Sequence, residues 1–210
     1  MKKKMMIALM AVMLLCSSCQ AKLPPREVSY TNQVLATKEV FPQDAIVCVL
    51  KIYGEPINLV EESELVVLAT SDVNRSIADY ENQSVSNCTN FTIDQVFYGQ
   101  TDEEVITVFE SGGVIPYLDY RKMFGDEINI KHLGKYVEFK IDSGPFIQDH
   151  KQYVLFLRKD ESENKYYTVS SSESRYRYIL NEEGGFSDAS SDPQFTLEQI
   201  TEFYKEYQNS

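Results

Sequence analysis

Histidines and acidic residues are the candidates for acid–base chemistry in this sequence. His132 and His150 are its two histidines, and Asp149 directly precedes His150. A carboxylate beside an imidazole can orient it as a general base, but adjacent residues of a strand or turn usually point apart. Neither histidine has the His-Glu-x-x-His spacing of a zinc peptidase. No catalytic residue is therefore predicted, and an envelope hydrolase that uses Asp142 or Asp149 is kept as an alternative.

Acidic runs are the candidates for metal binding, and they occur at residues 102–104 and 187–192. Calcium takes six to eight oxygen ligands, and an EF-hand loop places acidic residues at alternate positions around a glycine. Neither run has that arrangement. The sequence therefore predicts solvated loops at both places, with no metal and no cofactor.

Cys19 is the strongest candidate for covalent chemistry. It follows a basic segment, Lys2–Lys4, and an apolar run of 11 residues, Met5–Leu15, which is too short to span a bilayer. Two serines directly before Cys19 resemble the small residues that precede a lipidated cysteine in bacterial lipoproteins. We therefore predict a lipoprotein signal peptide at residues 1–18, acylation of Cys19 and a flexible tether over residues 19–33.

The length and charge of the chain limit its location and partners. Its 210 residues suffice for one domain and an extension, and loss of three signal lysines changes the net charge from −12 to −15. Nucleic-acid binding needs a basic surface that replaces counterions, so this class is excluded. Anionic headgroups repel an acidic body, which predicts that it stands away from the membrane surface. We expect attachment to the extracytoplasmic face through Cys19, with an envelope protein as the candidate partner.

Two further cysteines, Cys48 and Cys88, would remain in the exported chain. An oxidising location permits a disulfide between them. They can equally be two buried thiols that act as small apolar side chains. The sequence does not show whether their Cα atoms approach within about 7 Å, as a disulfide requires, so both alternatives stay open.

The segment over residues 112–135 is rich in aromatic side chains. It contains Tyr117, Tyr120, Phe124 and His132 among charged residues. Long insertions in barrels often carry binding function, and tyrosines supply rigid contact area. These four residues are therefore a candidate partner surface. The alternative is that they fill one end of a barrel.

The elements that position these residues are mainly β. Short apolar or alternating runs predict strands, and turn signals separate them without βαβ alternation. The runs are residues 45–50, 65–69, 91–97, 105–109, 137–141, 153–157, 166–169 and 176–180. Residues 72–87 are predicted to be turn-like, and the pair Gln95-Val96 interrupts the alternation as a bulge would.

The chain ends in a predicted helix over residues 196–207. Thr196 with Gln199 three positions later forms the pattern of a capping box. Apolar residues at helical spacing follow, and we expect that face to pack on the barrel. The predicted organisation is an N-terminal extension over 34–56 and an OB-like domain over 57–210.

The order of the strand segments resembles a known module. Residues 64–70, 91–99, 105–108 and 153–157 are similar in pattern to the netrin-like module of the tissue inhibitors of metalloproteinases, and to uncharacterised Gram-positive lipoproteins. The resemblance covers about residues 57–180 and implies a small OB-type barrel of five to seven strands.

The family's activity is not expected to follow its fold. The inhibitors chelate zinc through a free N-terminal cysteine, whereas Cys19 would be acylated here. We expect a non-enzymatic binding or interaction module, with the acidic hydrolase and a protease-inhibitor-like barrel as alternatives.

Overall fold

A computed structural model describes the greater part of the chain. The described residues are 24–44, 63–125, 127–140, 146–160, 165–169, 177–180, 185–187 and 195–208. The strands in chain order are β1 (Arg26–Tyr30), β2 (Val40–Asp44), β3 (Leu65–Ser71), β4 (Arg75–Asp79), β5 (Ser84–Tyr98), β6 (Val105–Ser111), β7 (Gly113–Pro116), β8 (Tyr136–Lys140), β9 (Gln152–Asp160), β10 (Lys165–Thr168), β11 (Arg177–Leu180), β12 (Gly185–Ser187) and β13 (Phe195–Thr196). The helices are α1 (Thr31–Thr37), α2 (Tyr117–Phe124) and α3 (Leu197–Gln208), with a 3-10 turn at Ile130–His132.

Five strands form a closed ring, which confirms the prediction of a small, mainly β, OB-like fold. The order around the ring is β3, β5, β6, β10 and β9, with β9 pairing back to β3. The pairs are antiparallel except β6 with β10, which are parallel. Closure leaves each of these strands with two neighbours, so the ring has no free hydrogen-bonding edge along these pairings.

The interior of the ring is apolar and densely filled. Alternate residues of its strands point inward, as the period of two requires. The buried cluster consists of Leu65, Val67, Ala69, Phe91, Ile106, Val108, Ile147, Tyr153, Leu155, Leu157 and Tyr166. Full burial of one large apolar side chain contributes about 1.5 to 3 kcal/mol, so this cluster supplies much of the driving force for folding.

A bulge in β5 lies next to the place that the sequence indicated. Ala69 of β3 pairs with Ile93 and Leu68 pairs with Gln95, so Asp94 is the additional residue. A second shift leaves Phe97 between two paired residues. Bulges bend a strand and increase its twist, which helps a strand of 15 residues follow the curve of the ring.

Helix α3 begins with the predicted capping box. The backbone N–H of Thr196 donates to Gln199 Oε1 at 2.8 Å, and the N–H of Gln199 donates to Thr196 Oγ1 at 3.2 Å. Ile200 and Tyr204 are buried in a second cluster with residues of β3, β5 and β9. The helix therefore packs on the outer side of the ring, as predicted.

The predicted tether is wrong in its second half. Arg26–Tyr30 pairs with β4 as strand β1, and Thr31 begins α1. Residues from Arg26 onward therefore belong to the folded domain. The reason is a set of polar contacts rather than an apolar run, since the backbone N–H of Thr31 donates to Asn74 O at 2.9 Å and Thr31 Oγ1 contacts Ser76 Oγ at 2.8 Å.

Residues 72–87 are not a turn, because they contain β4 and the beginning of β5. Their polar side chains bond to one another in the interior, as Ser76 and Thr31 both contact Asn87 Oδ1. Polar composition predicted solvent exposure, whereas mutual hydrogen bonding allows burial.

A second, smaller sheet joins the predicted N-terminal extension to the 112–135 segment. Strand β2 pairs in parallel with β8, and β8 pairs with β7. The alternating run at 137–141 thus forms β8 outside the ring. The predicted strand at 45–50 lies outside the described residues.

Candidate functional site

The four residues of the predicted partner surface come together in the structure, but largely inside it. The ring of Tyr117 lies 6.4 Å from that of Tyr120 and 5.4 Å from that of His132. The rings of Tyr120 and Phe124 are 5.1 Å apart. Tyr117 is only 4% exposed, and the other three are half-buried. A flat exposed aromatic patch is therefore a wrong prediction.

These aromatic side chains form a core beside the ring. Residues Tyr117, Tyr120 and Phe124 share one face of α2 at helical spacing, and that face packs against β8 and β2. The ring of Phe124 stacks on Phe139 of β8 at 5.6 Å, and His132 lies 4.6 Å from Phe41 of β2. These contacts cover one face of the smaller sheet, and they do not fill one end of the ring.

The acidic candidates for catalysis do not form a dyad with histidine in the described residues. Asp149 Oδ1 accepts from Asn32 Nδ2 at 2.6 Å and from the N–H of Asn74 at 2.8 Å. These bonds hold the turn before β9 against α1 and β4. The side chain of His150 is exposed, with its backbone at φ 57°. Asp142 lies outside the described residues.

The metal-binding and cysteine candidates of the sequence concern residues of which the structure describes only a part. Within that part, no three residues of the types His, Cys, Asp or Glu group in a way that could hold a metal ion. Cys88 is a buried free thiol, and Cys48, its candidate partner, lies outside the described residues. Burial raises the pKa of the Cys88 thiol, and nearby Arg75 opposes this effect. Cys19 also lies outside the described residues.

A different surface brings together aromatic and basic side chains, of which two are exposed and three are half-buried. Register places Tyr30 of β1 opposite Arg75 of β4, and Arg75 opposite Cys88 of β5. Cys88 is opposite Phe109 of β6, which is opposite Tyr167 of β10. Residues that are directly paired point to the same face of a sheet. One row therefore crosses five strands on the outer face.

Neighbouring side chains contact one another at two places along this row. The rings of Phe109 and Tyr167 are 5.9 Å apart, and Lys165 Nζ lies 4.7 Å from the centroid of Phe109. Arg75 Nη2 is 3.7 Å from Cys88 Sγ, which it covers. We name Tyr30, Arg75, Phe109, Lys165 and Tyr167 the aromatic–cationic stripe.

The margins of the stripe are polar. Asn90 Oδ1 accepts from Arg75 Nη2 at 3.3 Å and from Thr107 Oγ1 at 3.0 Å. Arg75 Nη1 also lies 3.5 Å from Glu27 Oε2. These contacts hold the guanidinium in place, so a partner would meet a cation whose orientation is already set.

The sequence holds no local signal for the stripe. Its members lie on four strands and are separated by up to 137 positions, from Tyr30 to Tyr167. Each position alone resembles an ordinary strand residue. Only the register of the β-pairs brings them into one row. Lys165 and Tyr167 are two positions apart and therefore share one side of β10, which is the one indication of this face that the sequence gives.

No protein-family model, curated protein or solved structure matches this chain. The helices in the described ranges are all too short or too polar to cross a bilayer.

Proposed function

We propose that the protein is a lipoprotein, anchored through Cys19 to the extracytoplasmic face of the membrane, that binds another envelope protein without catalysing a reaction. The observation that supports binding is the aromatic–cationic stripe on the outer face of the ring. The anchor is supported by the sequence pattern before Cys19.

The position of the stripe suits a binding role. OB-type barrels bind their ligands on the face of the second and third strands and on the neighbouring loops. The second and third strands of this ring are β5 and β6, which carry Cys88 and Phe109 at the centre of the stripe. Helix α3 packs on the outer side of β3 and β9 and on Phe97 of β5, which lies nine positions after Cys88 on that strand.

The composition of the stripe suits a protein partner. Tyrosine and arginine are enriched among the residues that dominate binding energy in protein interfaces. Tyr167 is 37% exposed and Tyr30 is 49% exposed. Arg75 and Lys165 favour an acidic segment in the partner, because opposite charges across an interface speed association and select the partner.

Site-specific photo-crosslinking in intact cells tests this face. A benzophenone amino acid replaces Tyr167 in one strain and Leu35 in the control strain. Leu35 lies on α1, which is not one of the strands of the row, and is 38% exposed, so the two probes are matched in accessibility. We expect one adduct of defined mass from position 167, absent from position 35.

Charge reversal then tests the chemistry of the contact. Adding Arg75→Glu to the Tyr167 probe is expected to abolish the adduct, because the change replaces a cation that favours the partner's acidic segment with a like charge. Equal adducts from positions 167 and 35, or an adduct that survives Arg75→Glu unchanged, would refute the stripe as the binding face.

The anchor has a separate test. The mass of the purified mature protein is expected to show acyl groups on Cys19, and Cys19→Ala is expected to leave the membrane fraction. A Cys19→Ala chain that is still acylated and membrane-bound would show that the anchor lies elsewhere.

A further inference from the structure

Four large apolar side chains are exposed on α2 and on the loop that follows it. They are Leu118 of α2 and three residues of the following loop, Ile128, Ile130 and Leu133. Ile130 is 78% exposed and Ile128 is 58% exposed. We name these four residues the apolar loop patch. Several large aliphatic residues exposed together mark a surface that a lipid membrane or another molecule covers.

Hydrogen bonds hold the loop that carries Ile128, Ile130 and Leu133 against α2. The N–H of Asn129 donates to the Tyr117 hydroxyl oxygen at 2.9 Å, and the guanidinium of Arg121 donates to the carbonyl of Glu127. Arg121 lies three positions after Leu118 and thus on the same side of the helix. Leu118 therefore lies beside the loop that carries Ile128 and Ile130.

The chain enters the fold next to this patch. Arg26, the first residue of β1, donates through Nη2 to Asp119 Oδ1 at 2.9 Å, and Asp119 directly follows Leu118. Lys122 Nζ also lies 3.1 Å from Asp119 Oδ1. The beginning of the folded domain is thus bound to α2 within one residue of the patch.

The length of the tether places this side of the domain near the membrane. Arg26 lies seven positions after Cys19, and a fully extended chain spans at most about 3.3 to 3.6 Å per residue. The acyl anchor is therefore within about 25 Å of Arg26. The tether, shorter than the sequence predicted, restricts how far the domain can turn away from the bilayer.

The local charge also suits a lipid surface. Residues 117–135 contain four basic and three acidic side chains, in a chain whose net charge is −12. Lysine and arginine near anionic headgroups each contribute about 1 kcal/mol of attraction. The net negative charge of the whole domain predicts repulsion from anionic headgroups. This segment has no excess of acidic residues, so it would not be repelled.

We propose that the apolar loop patch inserts into the interfacial layer of the bilayer and orients the anchored domain on the membrane. The inference rests on the proposed lipid anchor at Cys19. Leu118, Ile128, Ile130 and Leu133 bury aliphatic surface among the acyl chains, while Lys122 and Lys131 remain at the level of the headgroups.

Depth-dependent quenching tests the insertion. The full lipidated chain, with Cys48 and Cys88 replaced by alanine, carries Ile130→Cys labelled with an NBD fluorophore. The matched control is Val105→Cys on β6, whose native side chain is 51% exposed. Both are reconstituted into vesicles of phosphatidylethanolamine and phosphatidylglycerol that contain a lipid with a nitroxide on its acyl chain.

We expect the label at position 130 to lose most of its emission, and the label at position 105 to keep it. Ile128→Cys serves as a second insertion probe if Ile130→Cys does not fold. Equal emission from positions 130 and 105 in floating, lipidated protein overturns the inference and leaves the anchor intact. Emission at position 130 that changes only with the density of protein on the vesicles also overturns the inference, because a second copy of the chain would then cover the patch.

Failure of the anchor gives a different result. A chain without acyl groups does not float with the vesicles and shows an unmodified mass, which overturns both the proposed anchor and the inference that rests on it. Flotation with mass measurement, and quenching, therefore report the two claims separately.

Discussion

Two buried threonines, Thr31 at the start of α1 and Thr89 of β5, provide a stringent test of the interior hydrogen bonds. Both are fully buried. Thr31 Oγ1 contacts Ser76 Oγ at 2.8 Å and Asn87 Oδ1 at 3.0 Å. The hydroxyl of Thr89 has no hydrogen-bond partner in the described part of the chain. The same substitution, threonine to valine, should therefore have opposite effects at the two positions.

The expected magnitudes follow from hydrogen-bond energetics. A buried polar group without a partner costs about 1 to 3 kcal/mol, so Thr89→Val should raise the free energy of unfolding by about 1 to 2 kcal/mol. Thr31→Val removes two hydrogen bonds, each worth about 0.5 to 1.5 kcal/mol, and should lower it by about 1 to 3 kcal/mol. Shape is nearly conserved in both variants, because a methyl group replaces a hydroxyl.

Urea unfolding followed by circular dichroism measures both changes, with the slope of the transition as a check that the denatured state is unaltered. A difference of about 3 kcal/mol between the variants corresponds to about 6 to 12 °C in Tm for a chain of this size. If Thr89→Val is less stable than the parent, its hydroxyl has a partner such as a bound water. Equal effects at both positions would refute the assigned hydrogen bonds.

Three further changes have defined outcomes. Burial raises the pKa of the Cys88 thiol in the folded protein above its unfolded value, so this thiol stabilises the fold at neutral pH and that stabilisation is lost as pH rises through the folded pKa. Cys88→Ala should therefore reduce the loss of unfolding free energy above about pH 8.5. Unfolding free energies measured from pH 7 to 10 test this, and the same slope in variant and parent would contradict the prediction. Gly99→Ala should cost about 1 to 3 kcal/mol or more, since its φ is 82° and the new Cβ would lie 2.2 Å from the carbonyl oxygen of Glu64. Gly125→Ala, at φ 75° with no atom within 4 Å, is the control and should cost less in the same urea experiment. Thr196→Ala should lower Tm by a few degrees, because it removes a cap bond worth about 1 kcal/mol; an unchanged Tm would show that the cap is not formed in solution.

The polar hairpin of β4 and β5 shows why part of the fold escapes sequence reasoning. A strand buried among apolar side chains is visible as an apolar run, and β3 and β9 were predicted on that basis. Ser76 and Asn87 are buried because they hydrogen-bond to Thr31 and to each other. That partnership depends on residues far apart in the chain, so composition indicated a turn instead.

The aromatic residues of α2 illustrate the same limit for the site. The sequence marked Tyr117, Tyr120 and Phe124 as members of one candidate surface, but it predicted neither the helix that carries them nor their packing against β8. Burial depends on the position of the smaller sheet, which arises from the parallel pairing of β2 with β8.

The sequence by itself determined the mainly β class, the strands of high apolar content and the capped final helix, because these depend on local periodicity and on contacts between near neighbours. It also supplies the prediction of a lipid anchor at Cys19, which the described residues do not reach. Only the tertiary structure decided that residues from Arg26 belong to the domain, that the predicted aromatic surface is a core, and that Tyr30, Arg75, Phe109 and Tyr167 form one row. Each of these depends on strand register between distant segments, and register is set by the packing of the whole chain.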